Sequence, residues 1–263
     1  VEIDPSALDS HMRFAGDDDT RLAAIERAAR SKADVALTTR GGYGLTRLLP
    51  RLPHKLIDKA VAGGTQFVGI SDFTAMQLAL YASNATHTWA GPALCESFGV
   101  AKEAGNPDSG PDEIMEACFC DFLWGQGEAA GWRISTDSER SLAAGGTSGE
   151  LFSYSKGVLW GGNLSMLVSL LGTPFFPNIK KGILFLEDTG MHPYRIERML
   201  TQLLHAGVLN RQNAVVMAQF TSYKLTAHDR GFKMKAVLDW MRSQTAVPIL
   251  DNLPFGHVPT KVM

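Results

Sequence analysis

The sequence predicts an α/β protein with a mostly parallel sheet. Short apolar runs rich in β-branched residues recur along the chain, and segments whose apolar residues have helical spacing alternate with them. The 263 residues, of which 45% are hydrophobic and 20% charged, suffice for one large domain or two ordinary ones. Ligands of such sheets bind at the carboxyl ends of the strands, so the residues after each strand are the first candidates for a site.

The N-terminal half alternates helices and strands. Its predicted elements are, in order, a helix over 20–29, a strand over 34–39, a glycine-rich loop over 40–44, a helix that opens at 45–49, a strand over 66–70 and a helix over 73–80. Three aspartates, residues 17–19, precede the first helix. They face the positive end of its dipole there and need no metal to explain them.

The C-terminal half shows the same alternation. Its predicted elements are a glycine turn over 160–163 that enters a buried helix, a strand over 181–188, a helix over 192–204, a strand over 214–220, a helix over 231–242 and a short strand over 247–250. Pro248 indicates that the last strand lies at an edge or ends there.

The pattern weakens between the two halves. Residues 105–111 are rich in turn formers, and residues 135–149 are polar and rich in glycine. We therefore predict an N-terminal α/β domain over 1–115, a linker or edge segment over 116–156 and a C-terminal α/β domain over 157–263.

Composition argues against several classes of protein. A formal net charge of -2 argues against a nucleic-acid binder or a polybasic membrane-surface protein, and no apolar run reaches the ~20 residues of a membrane span. The three cysteines, Cys95, Cys118 and Cys120, do not form a disulfide framework and indicate reduced thiols in a reducing compartment. No second Cys or His cluster completes a metal site, so we expect structural thiols, no metal and no cofactor.

Ser71 stands at a predicted strand-to-helix turn. Gly69 lets the chain turn sharply, and the following helix offers free backbone N–H groups to an anion. A serine nucleophile needs this geometry, although Phe73 replaces the second glycine of the G-x-S-x-G motif. Ser71 is therefore either a nucleophile or an ordinary helix cap.

A serine nucleophile needs a general base that an acid holds in place. Glu187 ends a predicted strand, and His257 follows the last one. The chain order Ser71, Glu187, His257 is compatible with the nucleophile-acid-base order of α/β-hydrolases. Each has a plain alternative, because Glu187 could pair with Arg195 or Arg198, and His257 could be an ordinary loop histidine.

The loop Arg40-Gly41-Gly42 is the second candidate for a site. Its backbone N–H groups, free of crowding side chains, could hold a phosphate or the oxyanion of a tetrahedral intermediate. The spacing matches neither a Walker loop nor G-x-G-x-x-G. The alternative is a plain turn after a strand.

Several motifs together resemble the LD-carboxypeptidase family of serine peptidases. In family order they are Arg13-Phe14-Ala15-Gly16, Arg40-Gly41-Gly42-Tyr43-Gly44, Gly69-Ile70-Ser71-Asp72-Phe73-Thr74-Ala75, Trp160-Gly161-Gly162-Asn163-Leu164, Leu186-Glu187-Asp188 and Phe255-Gly256-His257. They extend over nearly the whole chain.

The resemblance implies a fold and a set of site residues. The fold is a doubly wound N-terminal domain that carries the serine and a swivelling-type C-terminal α/β domain that carries the acid and the base, with the active site between them. Ser71, Glu187 and His257 would be catalytic. The backbone N–H groups of Gly42 and Asp72 would form the oxyanion hole.

The resemblance also implies a substrate. It is a murein stem tetrapeptide, from which the enzyme removes the terminal D-alanine by cutting the bond from an L-centre to a D-residue. The reaction belongs to cytoplasmic peptidoglycan recycling, and the enzyme is expected to be a homodimer with no nucleic-acid or membrane partner. Arg40 is a candidate to bind the terminal carboxylate, or forms a structural ion pair.

The sequence departs from the family in places. Ala90-Gly91-Pro92 stands where His-Gly-Pro is common, so that position receives no role. The family's opening strand and helix and the strand after the His257 loop have no counterpart, so we expect a part of a longer protein. Relatives hydrolyse a peptidyl-nucleotide antibiotic and confer immunity, which is an alternative function. A non-catalytic binder of a small anion is a third interpretation.

Overall fold

The computed structural model describes residues 1–103, 109–127, 130–144 and 157–262. It divides into unit 1, which comprises Val1–Gln126 and Leu170–Pro177, and unit 2, which comprises Gly127–Ser169 and Asn178–Val262. Each unit contains a parallel sheet with helices, which confirms the predicted α/β class. Residues 105–108 of the turn-rich segment and 145–149 of the glycine-rich segment lie outside the described residues.

Unit 1 is built on a parallel sheet with strand order β1-β2-β3. Its strands and α-helices are α1 (Asp18–Arg30), β1 (Val35–Leu37), α2 (His54–Ala62), β2 (Gln66–Gly69), α3 (Phe73–Asn84), β3 (Trp89–Ala90) and α4 (Glu113–Leu123). Strand β2 is central, and α3 follows it directly. Phe67 of β2 and Met76 and Leu80 of α3 are buried. A core strand and a core helix therefore flank the turn at residues 70–72, and burial of their apolar side chains stabilises its position.

The helix predicted to open at 45–49 is absent there, and this prediction is wrong. The segment forms two 3₁₀ turns, Leu45–Arg47 and Leu49–Arg51, and the α-helix begins only at His54. Pro50 and Pro53 explain the difference. Proline has no N–H to donate, and its ring clashes with the preceding turn of an α-helix, so short 3₁₀ turns replace one continuous helix.

Unit 2 is built on a parallel sheet with strand order β4-β5-β6-β7. Its elements are α5 (Thr136–Ala144), β4 (Leu159–Asn163), α6 (Leu164–Ser169), β5 (Ile183–Thr189), α7 (Pro193–His205), β6 (Ala214–Thr221), α8 (Met234–Gln244) and β7 (Ile249–Leu250). Strand β7 lies at the sheet edge, as Pro248 predicts. Strands β5 and β6 are central, and the carboxyl end of β5 carries Glu187.

The predicted glycine turn over 160–163 is instead part of strand β4. Gly161 explains why glycine occurs inside this strand. A Cβ atom on Gly161 would lie 1.9 Å from the carbonyl oxygen of Phe185, and the residue has a φ of +133°. The two backbones can approach this closely only without a side chain, so the glycine supports the strand rather than interrupting it.

Two helices overlap the segment 116–156, which the sequence predicts to be a linker or edge segment. They are α5 and most of α4. The entry to α5 is anchored to the sheet of unit 2, because Asp251 accepts hydrogen bonds from the N–H and the hydroxyl of Ser135 at 2.9 and 2.5 Å. Arg242 of α8 also contacts this carboxylate at 3.3 Å. These contacts are long-range, and local sequence pattern does not reveal them.

Replacing Gly161 with Ala should lower the free energy of unfolding by about 3 kcal/mol or more, because the new Cβ atom would overlap the Phe185 carbonyl. Gly207→Ala is the matched control. Its φ is +69°, but nothing lies within 4 Å of the added Cβ, so only the backbone cost of about 1–2 kcal/mol applies. Denaturant unfolding measures both. Equal losses in the two variants would contradict the role of the close contact.

Candidate active site

Ser71 lies between β2 and α3, as the sequence predicts. Its φ of +64° is in the left-handed region, which non-glycine residues rarely adopt. Gly69 permits this sharp turn, since a Cβ atom there would lie 2.5 Å from the Phe73 ring. Ser71 does not cap α3, because the cap position belongs to Asp72 and no side chain caps the helix. The capping alternative is therefore wrong.

The glycine loop lies against Ser71. A Cβ atom on Gly41 would lie 2.7 Å from Cβ and 3.2 Å from Oγ of Ser71, so only glycine allows the contact. Gly42 has a φ of +133°. Within the described part of the chain, the backbone N–H groups of Gly42 and Asp72 have no hydrogen-bond acceptor. Both can therefore donate to an anion near the serine hydroxyl.

Asp72 is a buried acid beside the serine, with 3% of its surface exposed. Its Oδ2 accepts a hydrogen bond from the backbone N–H of Leu45 at 2.7 Å. Burial raises the pKa of the Asp72 carboxyl, because loss of water disfavours its charged form. Hydrogen bonds from the backbone of Leu45 and Gly44 oppose this shift.

Arg40 projects from the same loop. Its side chain is 71% exposed, and its Nε lies 3.5 Å from Oε1 of Glu96. Glu96 also accepts a long hydrogen bond from the N–H of Gly41 at 3.4 Å. An exposed pair at this distance contributes little stability, so the Arg40 guanidinium can exchange Glu96 for another carboxylate.

Glu187 and His257 meet in unit 2. Nδ1 of His257 lies 2.7 Å from Oε2 of Glu187, and the carboxylate side chain is fully buried while the imidazole is 23% exposed. The alternative ion pair with an arginine does not occur in the described chain, where Arg195 instead donates to the Tyr194 hydroxyl at 3.2 Å. A buried carboxylate bound to Nδ1 is the arrangement that orients a catalytic imidazole.

Gly256 lets the histidine loop approach the carboxylate. With a φ of +134°, it would place a Cβ atom 3.1 Å from the Gln219 carbonyl oxygen and 3.3 Å from Cβ and Oε2 of Glu187. Phe255 anchors the loop beside it. Its carbonyl accepts from the N–H of Gln219 at 2.9 Å, and its ring packs edge-on against Phe185. The loop therefore presents His257 to Glu187 with little freedom to move away.

Asn163 joins two carboxylates, and the sequence assigns it no role. Its Nδ2 donates to Oε1 of Glu187 at 3.1 Å and to Oδ1 of Asp188 at 3.3 Å. Asp188 also accepts from the N–H and the hydroxyl of Ser165 and from the N–H of Thr189. Its position in the sequence could have identified it. Asn163 ends the strand that neighbours the strand of Glu187, and parallel strands end at the same sheet edge.

The cysteines and the candidate metal ligands form no metal cluster or disulfide in the described residues. All three cysteines are free thiols, and burial raises the pKa of the Cys118 thiol, which lowers its reactivity. The described ranges contain no group of three or more His, Cys, Asp and Glu side chains that could hold a metal ion. Among these same residues, no helix has both the length and the apolar character needed to cross a bilayer.

Comparison with known proteins gives concordant results. The N-terminal domain of LD-carboxypeptidases matches residues 1–91, and their C-terminal domain matches residues 156–263. A putative carboxypeptidase of Streptomyces coelicolor is 31% identical over 97% of this chain and 75% of its own. The probable murein peptide carboxypeptidase of Bacillus subtilis is 27% identical over 98% of this chain and 74% of its own.

Solved structures agree. The crystal structure of muramoyltetrapeptide carboxypeptidase from Oxalobacter formigenes has a TM-score of 0.79 and 35% identity, over 96% of this chain and 78% of its own. Among sequence relatives, the microcin C7 self-immunity protein MccF of Escherichia coli is 26% identical over 84% of this chain and 65% of its own. Two domain matches and these similarities show that the chain belongs to the LD-carboxypeptidase family.

Proposed function

We propose that this protein is a serine carboxypeptidase that releases the terminal D-alanine of murein stem tetrapeptides. The hydrogen bond between buried Glu187 and His257 carries the proposal, because a serine peptidase needs an imidazole held in this way. Family membership supports the reaction class. The name of the Bacillus subtilis relative, a probable murein peptide carboxypeptidase, supports the substrate class.

The proposed mechanism begins with proton transfer. Glu187 holds the proton of His257 on Nδ1, which makes Nε2 the basic nitrogen that takes the proton from the Ser71 hydroxyl. Oγ of Ser71 then attacks the carbonyl carbon of the scissile L–D bond. The N–H groups of Gly42 and Asp72 donate to the resulting oxyanion, a contribution on the order of 3 kcal/mol for each donor.

Collapse of the tetrahedral intermediate breaks the peptide bond. His257 donates its new proton to the leaving D-alanine nitrogen, and an acyl-enzyme on Ser71 remains. Water, deprotonated by the same imidazole, hydrolyses the ester and regenerates the serine. Arg40 is the proposed partner of the substrate's terminal carboxylate. We assign the reaction to cytoplasmic peptidoglycan recycling by a homodimer.

A second candidate substrate is a peptidyl nucleotide, because the MccF relative is a self-immunity protein. The proposed chemistry at Ser71 would be the same, although both the acyl group and the leaving group would differ. A stem tetrapeptide and aspartyl sulfamoyl adenosine therefore separate the two functions, since MccF has been crystallised with the latter.

Replacing Ser71 with Ala should lower kcat/KM for D-alanine release by about a thousandfold or more, because no nucleophile remains. Ser31→Ala is the control, since the Ser31 hydroxyl is exposed and bonds only within its own turn. Coupled detection of D-alanine measures both. Undiminished D-alanine release by the Ser71 variant would eliminate the serine mechanism. In a separate experiment on the wild-type protein, failure of a fluorophosphonate to label Ser71 would favour a non-catalytic anion binder.

Replacing Glu187 with Gln should lower kcat by about 10²- to 10⁴-fold, because a neutral amide no longer holds the Nδ1–H tautomer or stabilises the imidazolium. Asp229→Asn is the matched control. Asp229 forms another carboxylate–imidazole pair in unit 2, with Nε2 of His192 at 3.1 Å. That variant should keep its kcat, and similar losses in the two variants would refute the specific role of Glu187.

A stem tetrapeptide that ends in D-alanine should be hydrolysed with a higher kcat/KM than aspartyl sulfamoyl adenosine or the same peptide ending in L-alanine. The proposed site binds a terminal carboxylate and acts on an L–D bond, so both changes remove a recognised feature. Product analysis by mass spectrometry measures the three rates. Preferred turnover of the sulfamoyl nucleoside would instead assign the immunity function.

A further inference from the structure

We propose that the buried side chain of Asp72 is a positioning residue that holds the glycine loop, residues 41–45, in register with the turn that carries Ser71. The inference rests on the proposed function, because the loop supplies the Gly42 N–H of the proposed oxyanion hole. Asp72 would thus have two roles. Its backbone N–H would be one donor of the oxyanion hole, and its side chain would hold the loop that carries the other donor, the N–H of Gly42. The chemistry assigned to Asp72 above used only its backbone.

The anchor is a contact between two segments far apart in sequence. Oδ2 of Asp72 accepts the N–H of Leu45 at 2.7 Å, which is a short bond for a nitrogen donor. The backbone of Gly44 also opposes the effect of burial on the pKa of this carboxyl. The acceptor is 3% exposed, so water does not compete for the Leu45 N–H.

The loop needs such an anchor because glycine leaves it without intrinsic stiffness. Gly42 and Gly44 have φ angles of +133° and +142°, and glycine loses more conformational freedom on ordering than any other residue. Gly44 packs closely against unit 1, since a Cβ atom there would lie 2.9 Å from the Phe14 ring and 2.6 Å from Nη1 of Arg21. The Asp72 bond adds a hydrogen bond between the loop and the serine turn to the packing of Gly41 against Ser71.

The second oxygen of Asp72 shows what the anchor requires. Oδ1 is buried and has no hydrogen-bond partner among the described residues. Burial raises the pKa of the carboxyl, although the Leu45 and Gly44 backbone and the charge of Arg21 favour the ionised form. When folding raises the pKa of an acid, the folded protein loses stability as the pH increases above the ordinary pKa of Asp. The hydrogen bond from Leu45 uses one oxygen of the Asp72 side chain, and asparagine keeps one such acceptor without the charge.

Three variants test the inference with the full chain and a stem tetrapeptide. Asp72→Ala should lower kcat about 10- to 100-fold with KM changed less than about threefold, and Asp72→Asn, which keeps an acceptor oxygen for the Leu45 N–H, should recover most of that loss. Asp58→Ala is the matched control. Asp58 also binds another segment of unit 1, through Asn84 and Thr86, but away from the loop, so its loss should lower thermal stability and not kcat.

Amide hydrogen exchange supplies a readout independent of activity. The N–H of Leu45 should exchange faster in Asp72→Ala than in wild type or in Asp58→Ala, because only the first variant removes its acceptor. Unchanged exchange at this amide would overturn the anchor. Unchanged kcat in a folded Asp72→Ala protein would overturn its role in positioning.

Should Asp72→Ala not fold, Asp72→Leu removes the acceptor while filling its space and carries the same expectations. If neither variant folds, Asp72→Asn is the test. A folded Asn variant whose kcat is reduced more than tenfold contradicts the claim that one neutral acceptor oxygen can hold the glycine loop. Inactive Ser71→Ala with fully active Asp72→Ala would reject this inference and leave the proposed function intact. Active Ser71→Ala would reject the proposed function itself.

Discussion

The hydrogen bond between Glu187 and His257 is the interaction on which the candidate site depends. A carboxylate with no exposed surface is costly to ionise unless hydrogen bonds replace the water it has lost. The imidazole of His257 forms a hydrogen bond with one oxygen of Glu187, and the amide of Asn163 donates a hydrogen bond to the other. A ring that donates from Nδ1 has its basic lone pair on Nε2, so this contact would set both the orientation and the tautomer of the imidazole.

Close backbone approach is the constraint that recurs around this chemistry. Gly41 lies against Ser71, Gly161 against the Phe185 carbonyl, and Gly256 against both Glu187 and the Gln219 carbonyl. At each position a side chain would occupy space that another group already fills. In each unit two segments thus meet where one of them has no Cβ atom. A hydrogen bond that Asp72 accepts from Leu45 in unit 1, and one that Asn163 donates to Glu187 in unit 2, then hold the arrangement.

Much of the fold was predictable from the sequence, because its signals are local. Apolar runs indicate the central strands, and the turn at Ser71 follows from the residues beside it. What failed or was missed depends on distant contacts. In the sequence Gly161 resembles a turn residue, and only its close contact with the Phe185 carbonyl explains why a glycine lies inside this strand. Likewise the polar sequence of α5 does not reveal that Asp251 anchors its start, and nothing near Asp72 in sequence identifies Leu45 as its donor.

The tautomer of His257 tests the central claim most directly. Nitrogen-15 NMR of histidine-labelled protein, with His257→Gln to assign the signals, reports which ring nitrogen carries the proton in the neutral imidazole. The account predicts a proton on Nδ1, in contact with Glu187, and an unprotonated Nε2. A neutral ring protonated on Nε2 would contradict it, because that nitrogen could not then accept a proton from a serine hydroxyl.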